Sequence, residues 1–225
     1  MSPSRPFKNR RHAGKQLALA LIAYAGCPAA LVLALPRGGV TVGYYVATAL
    51  GLALDVLIVK KLGLPGFEEF AIGAVGSDGI RVVNPAAVAA YHISAAQVDA
   101  ACIDAMQEIA LRERKYRHAR APPQLHGLTV ILVDDGIATG STMQAAIRTA
   151  RSQHAGKIVV AAPVGASDTC SKLALEADDL VCLNRPRSFG AVSESYQRFD
   201  QVSDDEVQDL LSRVWHDSKS TGPHF

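Results

Sequence analysis

The sequence predicts an α/β fold, a parallel sheet flanked by helices, and three observations carry the prediction. Short apolar runs alternate with helical patterns, the arrangement that builds parallel sheets through right-handed crossovers. Four runs, ALVLAL, DVLIV, TVILV and KIVVAA, are apolar at nearly every position, as strands covered on both faces are. Three of the four end in PRGG, KKLG and DDGIATGST, and ligands of such sheets sit beyond the carboxyl ends of the strands.

Taken in order, residues 11–25 read as a helix and Ala30–Leu35 as a short strand closed by PRGG. Thr41–Leu50 is helical in pattern, with Gly51 as its C-cap. Asp55–Val59 reads as a strand ending at Lys60–Lys61. Residues 70–84 alternate around Ser-Asp-Gly, the signature of a β-hairpin. Ser94 is an N-cap for a long helix to about Arg117, which Ala121-Pro122-Pro123 terminates. Strand Thr129–Val133 follows, then the Asp-Asp-Gly loop and a helix over about 142–154. Lys157–Pro163 is a strand, Ser167–Glu176 a helix, Asp179–Leu183 the last core strand. Ser203 caps a final helix whose first-turn acids suit the helix dipole.

Composition bounds the rest. With 225 residues, 49% of them hydrophobic, the chain supports one packed domain with a small appended hood. A net charge of +2 is not that of a polycation, so a nucleic-acid partner is not expected. The densest basic clusters, Arg10–Arg11 and Arg112–Arg120, read as solvated helix ends. The four cysteines form no CxxC pair, which fits reduced thiols in a cytoplasm. Basic residues before LALALIAYAGC imitate a secretion signal. Tyr24 stands where a lipoprotein cleavage site needs a small aliphatic residue, and the stretch runs into LVLALPRGG, so it reads as a first helix. No run is long enough to predict a membrane span.

The chemistry concentrates in VILVDDGIATGST, residues 130–142. A strand-to-helix turn offers unpaired backbone N–H groups to an anion. Gly136 and Gly140 allow a tight path, and Thr139, Ser141 and Thr142 add hydroxyls. The stretch lacks the GxxxxGK[ST] and GxGxxG patterns of nucleotide-binding loops. Asp134 and Asp135 are poor company for a bare phosphate. They suit a sugar phosphate, whose phosphate sits on the loop while its diol meets the acids. If C1 of the sugar becomes positive during reaction, the same acids stabilise it.

This stretch resembles the PRPP-binding signature of the type I phosphoribosyltransferases. The resemblance implies a Rossmann-like sheet, with Asp134 and Asp135 on the ribose hydroxyls and Gly136, Ile137, Ala138, Thr139, Gly140, Ser141 and Thr142 around the 5′-phosphate. It makes PRGG, residues 36–39, a pyrophosphate loop in which a strained and often cis peptide turns N–H groups of Gly38 and Gly39 toward the diphosphate. Arg37 brings charge to it, and Lys60 or Lys61 adds a contact. FKNRRHAGKQLA, LPRGGVTVGYYVA, LDVLIVKKLGLPGFEEFAIGAV and FGAVSESYQRF are similar to a bacterial branch of predicted phosphoribosyltransferases of unsettled substrate, over roughly residues 7–215. That branch commonly has Asp where this chain has Asn9.

The resemblance implies one domain over residues 1–225, with an insertion at about 62–127 and a hood at about 184–203. The hairpin near 66–84 or the basic stretch RERKYRHAR is then a candidate to close over the site, with Arg114, Tyr116 and Arg117 reaching the diphosphate. Phe189, Tyr196 or Phe199 are candidate stacking surfaces for a base. Ala138 replaces the Asp with which 6-oxopurine enzymes manage a ring proton. No metal is expected on protein ligands alone; magnesium arrives with PRPP, held by substrate oxygens and water. The partners implied are PRPP and a small nitrogenous acceptor; homodimers are common among relatives, and the sequence itself leaves the oligomeric state open. A non-catalytic PRPP sensor is the alternative.

Overall fold

The computed structural model describes residues 6–64, 67–77, 79–118 and 120–220. Five parallel strands form the main sheet in the order β2-β1-β6-β7-β8. They are β1 (Ala30–Ala34), β2 (Ala53–Val56), β6 (Thr129–Val133), β7 (Lys157–Val164) and β8 (Asp179–Asn184). The continuous apolar runs follow from burial on both faces. Val32, Ala34, Ile131, Val133, Val159 and Ala161 pack on one side with α1 (Arg10–Ala20), α2 (Gly38–Leu50) and α7 (Asp204–Ser220). Leu31, Leu33, Val130, Leu132, Ile158 and Val160 face Met143, Ala146, Ile147 and Ala150 of α5 (Ser141–Ser152) on the other.

The expected first helix is there, ending at Ala20, with a 3₁₀ turn over Ile22–Tyr24. Leu17 and Leu21 are fully buried, so the signal-like stretch is an element of the core. No helix among the described residues is long and apolar enough to cross a membrane. Gly51 is the left-handed C-cap of α2, at φ 64°.

A second, antiparallel sheet joins β3 (Val59–Leu64), β4 (Phe67–Gly76) and β5 (Arg81–Val83). The predicted hairpin is its β4–β5 arm, with Val75 opposite Arg81. Pro65, Gly66 and Asp78 lie outside the described residues. The sheet packs on α5, where Ala145 meets Ala74 and Val82. After β5 come a short α3 (Pro85–Ala90), absent from the sequence reading, and α4 (Ala95–Arg117). The Ser94 cap of α4 is a full capping box, completed by Gln97. A short α6 (Ser167–Leu173) lies between β7 and β8.

Two expectations are corrected. Lys60 and Lys61 do not end β2, which stops at Val56; they lie inside β3, opposite Val75 and Ala74. Asp55, buried in the apolar run and bound to Arg117, lies inside β2 opposite Leu33, and pairing stops at Val56 because the partner strand β1 ends opposite it, at Ala34. The chain leaves the parallel sheet there, and Leu57 gives its N–H to the Ala34 carbonyl at 3.0 Å. Nor is the C-terminal end of α4 surface charge throughout: Arg112, Arg114 and Lys115, with Arg120 just beyond, are exposed as expected, but Arg117 is buried. Arg117 is 5% exposed, and it donates to Asp55 Oδ1 at 2.9 Å, to Glu113 Oε1 at 2.6 Å and to the Val56 carbonyl at 2.6 Å. Tyr116 beside it is 1% exposed. The fold also brings Cys170 and Cys182, distant in sequence, together against Gly165.

Candidate active site

Chain order and strand order part company between β1 and β6. From β1 the chain passes to β2 on one side, and β6 passes to β7 and β8 on the other. A crevice opens at such a switch point beyond the carboxyl ends of the strands. PRGG follows β1 and Asp134-Asp135 follows β6, and the two strands pair in register from Ala30–Thr129 to Ala34–Val133. Adjacent strand ends therefore carry the two motifs into contact.

The contact is close. A Cβ on Gly38 would lie 1.8 Å from Asp135 Oδ2, and one on Gly39 would lie 2.8 Å from the Val133 carbonyl and 3.0 Å from the Asp134 Cα. Only glycine lets the loop lie against the acids. The Pro36–Arg37 peptide is cis. Gly38 and Gly39 begin α2, whose N-terminus has no side-chain cap. The α5 N-terminus is also uncapped: Gly140 takes the N-cap position at φ 78°, ψ −7°, and gives no side chain to bond the first-turn N–H groups. A Cβ there would meet the Thr169 methyl at 2.5 Å. Short α6, on the same edge, is uncapped too. By contrast α1, α3, α4 and α7 start under Asn9, Asn84, Ser94 and Ser203, whose oxygens accept first-turn N–H groups. So the α2 and α5 starts, which carry the glycine loop and the hydroxyl-rich turn, leave first-turn N–H groups without a side-chain cap and open to an anion, whereas α1 and α7, which begin beside the same motifs, are capped. Thr139 Oγ1 and Ser141 Oγ, 3.4 Å apart, flank the α5 start.

The acid pair is enclosed and strained electrostatically. Burial pushes the Asp134 carboxyl well above its usual range, and the neighbouring Asp135 charge pushes it further. Burial also raises Asp135, though less, because Arg10 draws it back. The Asp135 N–H donates to Asp134 Oδ1 at 2.8 Å, and Arg10 Nε donates to Asp135 Oδ2 at 2.7 Å. The Tyr196 hydroxyl donates to the Asp135 carbonyl at 2.5 Å.

Other expected residues fall in different places. Arg37 is half-exposed and leans toward Asp204, Nη1 to Oδ1 3.9 Å, which is itself bonded by Lys115 at 2.8 Å and the Tyr116 hydroxyl at 2.6 Å. Those two partners hold the Asp204 carboxyl below its usual range. Lys60 pairs with Glu108 of α4, and Lys61 is exposed. Tyr196 is no open base platform: it is 7% exposed, in a cluster with Phe7, Val164 and Phe199. The hood segment bridges to the N-terminal segment, Phe7 N–H to the Ser195 carbonyl at 2.8 Å and Gln197 N–H to the Phe7 carbonyl at 2.8 Å. Asn9 caps α1 by accepting the His12 N–H at 2.9 Å. The sequence alone presents Arg10 as a solvated helix end and Asp204 only as a first-turn acid of the final helix, and it assigns nothing to Asp200. The signal was the FKNRRHAGKQLA motif, whose arginine is placed on an acid 125 positions away.

A parallel switch point with an acid pair, two open helix starts and a glycine loop between them defines a domain of the phosphoribosyl transferase kind. The chain belongs to that family, whose domain model matches residues 9–198. Two proteins of Mycobacterium tuberculosis, from strains CDC 1551 and H37Rv, carry the name "Putative phosphoribosyl transferase". Each is 44% identical over 216 residues, 96% of this chain and 48% of the longer relative. This chain thus spans about half the length of the curated relatives it matches. The crystal structure of TT1426 from Thermus thermophilus superposes with a TM-score of 0.80 at 38% identity, over 93% of this chain and 99% of that one. AQ2163 from Aquifex aeolicus shares the fold, with a TM-score of 0.52 at 10% identity over 90% of this chain and 84% of its own.

Proposed function

We propose that this domain transfers the phosphoribosyl group of magnesium-bound PRPP to a nitrogenous acceptor and releases pyrophosphate. The observation that carries the proposal is the meeting of the glycine loop with the acid pair, where a Cβ on Gly38 would lie 1.8 Å from Asp135 Oδ2. A sugar on the acids then has its 5′-phosphate toward the α5 start and its diphosphate toward the α2 start. Magnesium belongs to the substrate in this reading. Diphosphate oxygens with water suit that ion.

In the reaction the C1–oxygen bond breaks and its electron pair leaves with the diphosphate. The lone pair of the acceptor nitrogen forms the new C1–nitrogen bond, and the proton lost from that nitrogen passes to solvent. The chain's share is orientation and charge. Thr139, Gly140, Ser141 and Thr142 fix the phosphate, Gly38 and Gly39 receive the diphosphate, and Arg37 swings from Asp204 to neutralise it. The carboxylates of Asp134 and Asp135 favour the positive ribose. Lys60 and Lys61, on β3, are second-rank candidates for a diphosphate contact.

The test is pyrophosphate release from PRPP and magnesium across a panel of nitrogenous bases. Turnover on at least one base is expected. The double variant Asp134→Asn, Asp135→Asn should lose about 10²–10³-fold in kcat or more while remaining folded. Calorimetric binding of PRPP with no turnover on any base would instead support a PRPP sensor.

A further inference from the structure

Arg10 is built into the acid pair from outside the motifs that define it. Its guanidinium sits 3.8 Å from the centre of the Phe199 ring. Its Nη1 donates to the Asp200 carbonyl at 2.6 Å, and its Nε to Asp135 Oδ2 at 2.7 Å. The side chain is only 11% exposed and that of Asp135 15%. Two hydrogen bonds and a stacked ring on a nearly enclosed guanidinium exceed what a surface ion pair offers. The same Nε lies 3.0 Å from where a Gly38 Cβ would be, so Arg10 also borders the loop.

We propose that Arg10 is a positioning residue that divides the labour of the two acids: it fixes the aim of the Asp135 carboxylate and compensates its charge, so that Asp134 carries the larger share of the pair's uncompensated charge toward the ligand. The second half of this assignment rests on the phosphoribosyl-transfer reading; the first half does not. The clamp joins three distant pieces of chain, namely α1, the tip of β6 and the segment after the 3₁₀ turn Val192–Ser195, so the hood and the N-terminal segment set the aim of the Asp135 carboxylate. The charged and titratable groups facing Asp135 are Arg10 from α1, Asp134 beside it, and the Tyr196 hydroxyl from the hood. The α2 start presents Gly38 and Gly39, without charge.

Carboxyl-carbon NMR of the full chain labelled at aspartate tests the first half without any ligand, with the two signals assigned from the single variants Asp134→Asn and Asp135→Asn. In the unaltered protein Asp135 should titrate below Asp134. In Arg10→Met the Asp135 titration should rise by about one pH unit or more, and Arg10→Lys should recover part of it. An unmoved Asp135 titration in folded Arg10→Met overturns the inference. If that variant does not fold, Phe199→Leu removes only the ring beneath the guanidinium and should move Asp135 in the same direction; no movement overturns it equally. With PRPP, Arg10→Met should lower kcat more than it changes KM, whereas an equal fall in stability with unchanged kcat would mark a structural role and overturn the division of labour. Wild-type protein that shows the Arg10-dependent titration yet binds no PRPP would sink the transfer reading and leave the Arg10–Asp135 assignment standing.

Discussion

Asp134 is a side chain that the fold tolerates rather than wants. Burial and the adjacent Asp135 raise its carboxyl far above 3.8. Between that ordinary value and the raised one, the folded protein holds the Asp134 proton more tightly than the unfolded chain does. The group's contribution to stability therefore falls as pH rises through the window. Asparagine carries no such charge. Asp134→Asn should thus melt higher than the wild type at neutral pH, by about 1 kcal/mol, with the gain fading toward acid pH; a gain that grows on acidification would contradict the sign. Gly38→Ala is the complementary case. Its added Cβ collides with a carboxylate that Arg10 pins, so a circular-dichroism melt should show a folded protein while pyrophosphate release drops about tenfold or more. At this scale the sequence disclosed the acids, the glycines and the loop hydroxyls, because their types and spacing are local. It hid Arg10 and Tyr196, whose partners lie 125 and 61 positions away.

The elements were legible where a single local rule decides them. Ser94 with Gln97 announces α4 through a capping box, and the apolar runs of β1, β6 and β7 announce strands buried on both faces. The reading failed where a tertiary contact overrides the local pattern. Asp55–Val59 looks like one strand, yet β2 ends at Val56, opposite the last residue of β1; likewise the buried Arg117–Asp55 pair joins residues 62 positions apart, and nothing near either residue names the other. The weak signals for α3, Asn84 as cap and a proline in the first turn, a position that proline favours, sat at the end of the hairpin reading, residues 70–84, and in the unassigned residues after it. The Arg117–Asp55 pair yields a stability prediction. Asp55 is 3% exposed and Arg117 5%, so Arg117→Met strands a buried carboxylate and should cost about 3–5 kcal/mol in urea unfolding. Replacing both, as Asp55→Leu with Arg117→Met, should cost markedly less; equal losses would show that the pair is not the cause.

At the scale of the whole molecule, topology brings the motifs together. The sheet order β2-β1-β6-β7-β8 sets the glycine loop and the acid pair on neighbouring strands, and it opens two uncapped helix starts on one crevice. The alternating pattern foretold that convergence, whereas the antiparallel sheet beneath α5 was foretold only in its β4–β5 arm. A ligand that spans both helix starts stabilises the native state by mass action, so PRPP with magnesium should raise the melting temperature in a concentration-dependent way. The most direct measurement of the central claim is calorimetric titration of the full chain with PRPP and magnesium, set against ribose 5-phosphate under the same conditions. If the two helix starts and the acids form one site, PRPP binds at least about tenfold tighter, because only it reaches the glycine loop. Equal affinities for the two ligands would mean that the loop at residues 36–39 takes no diphosphate.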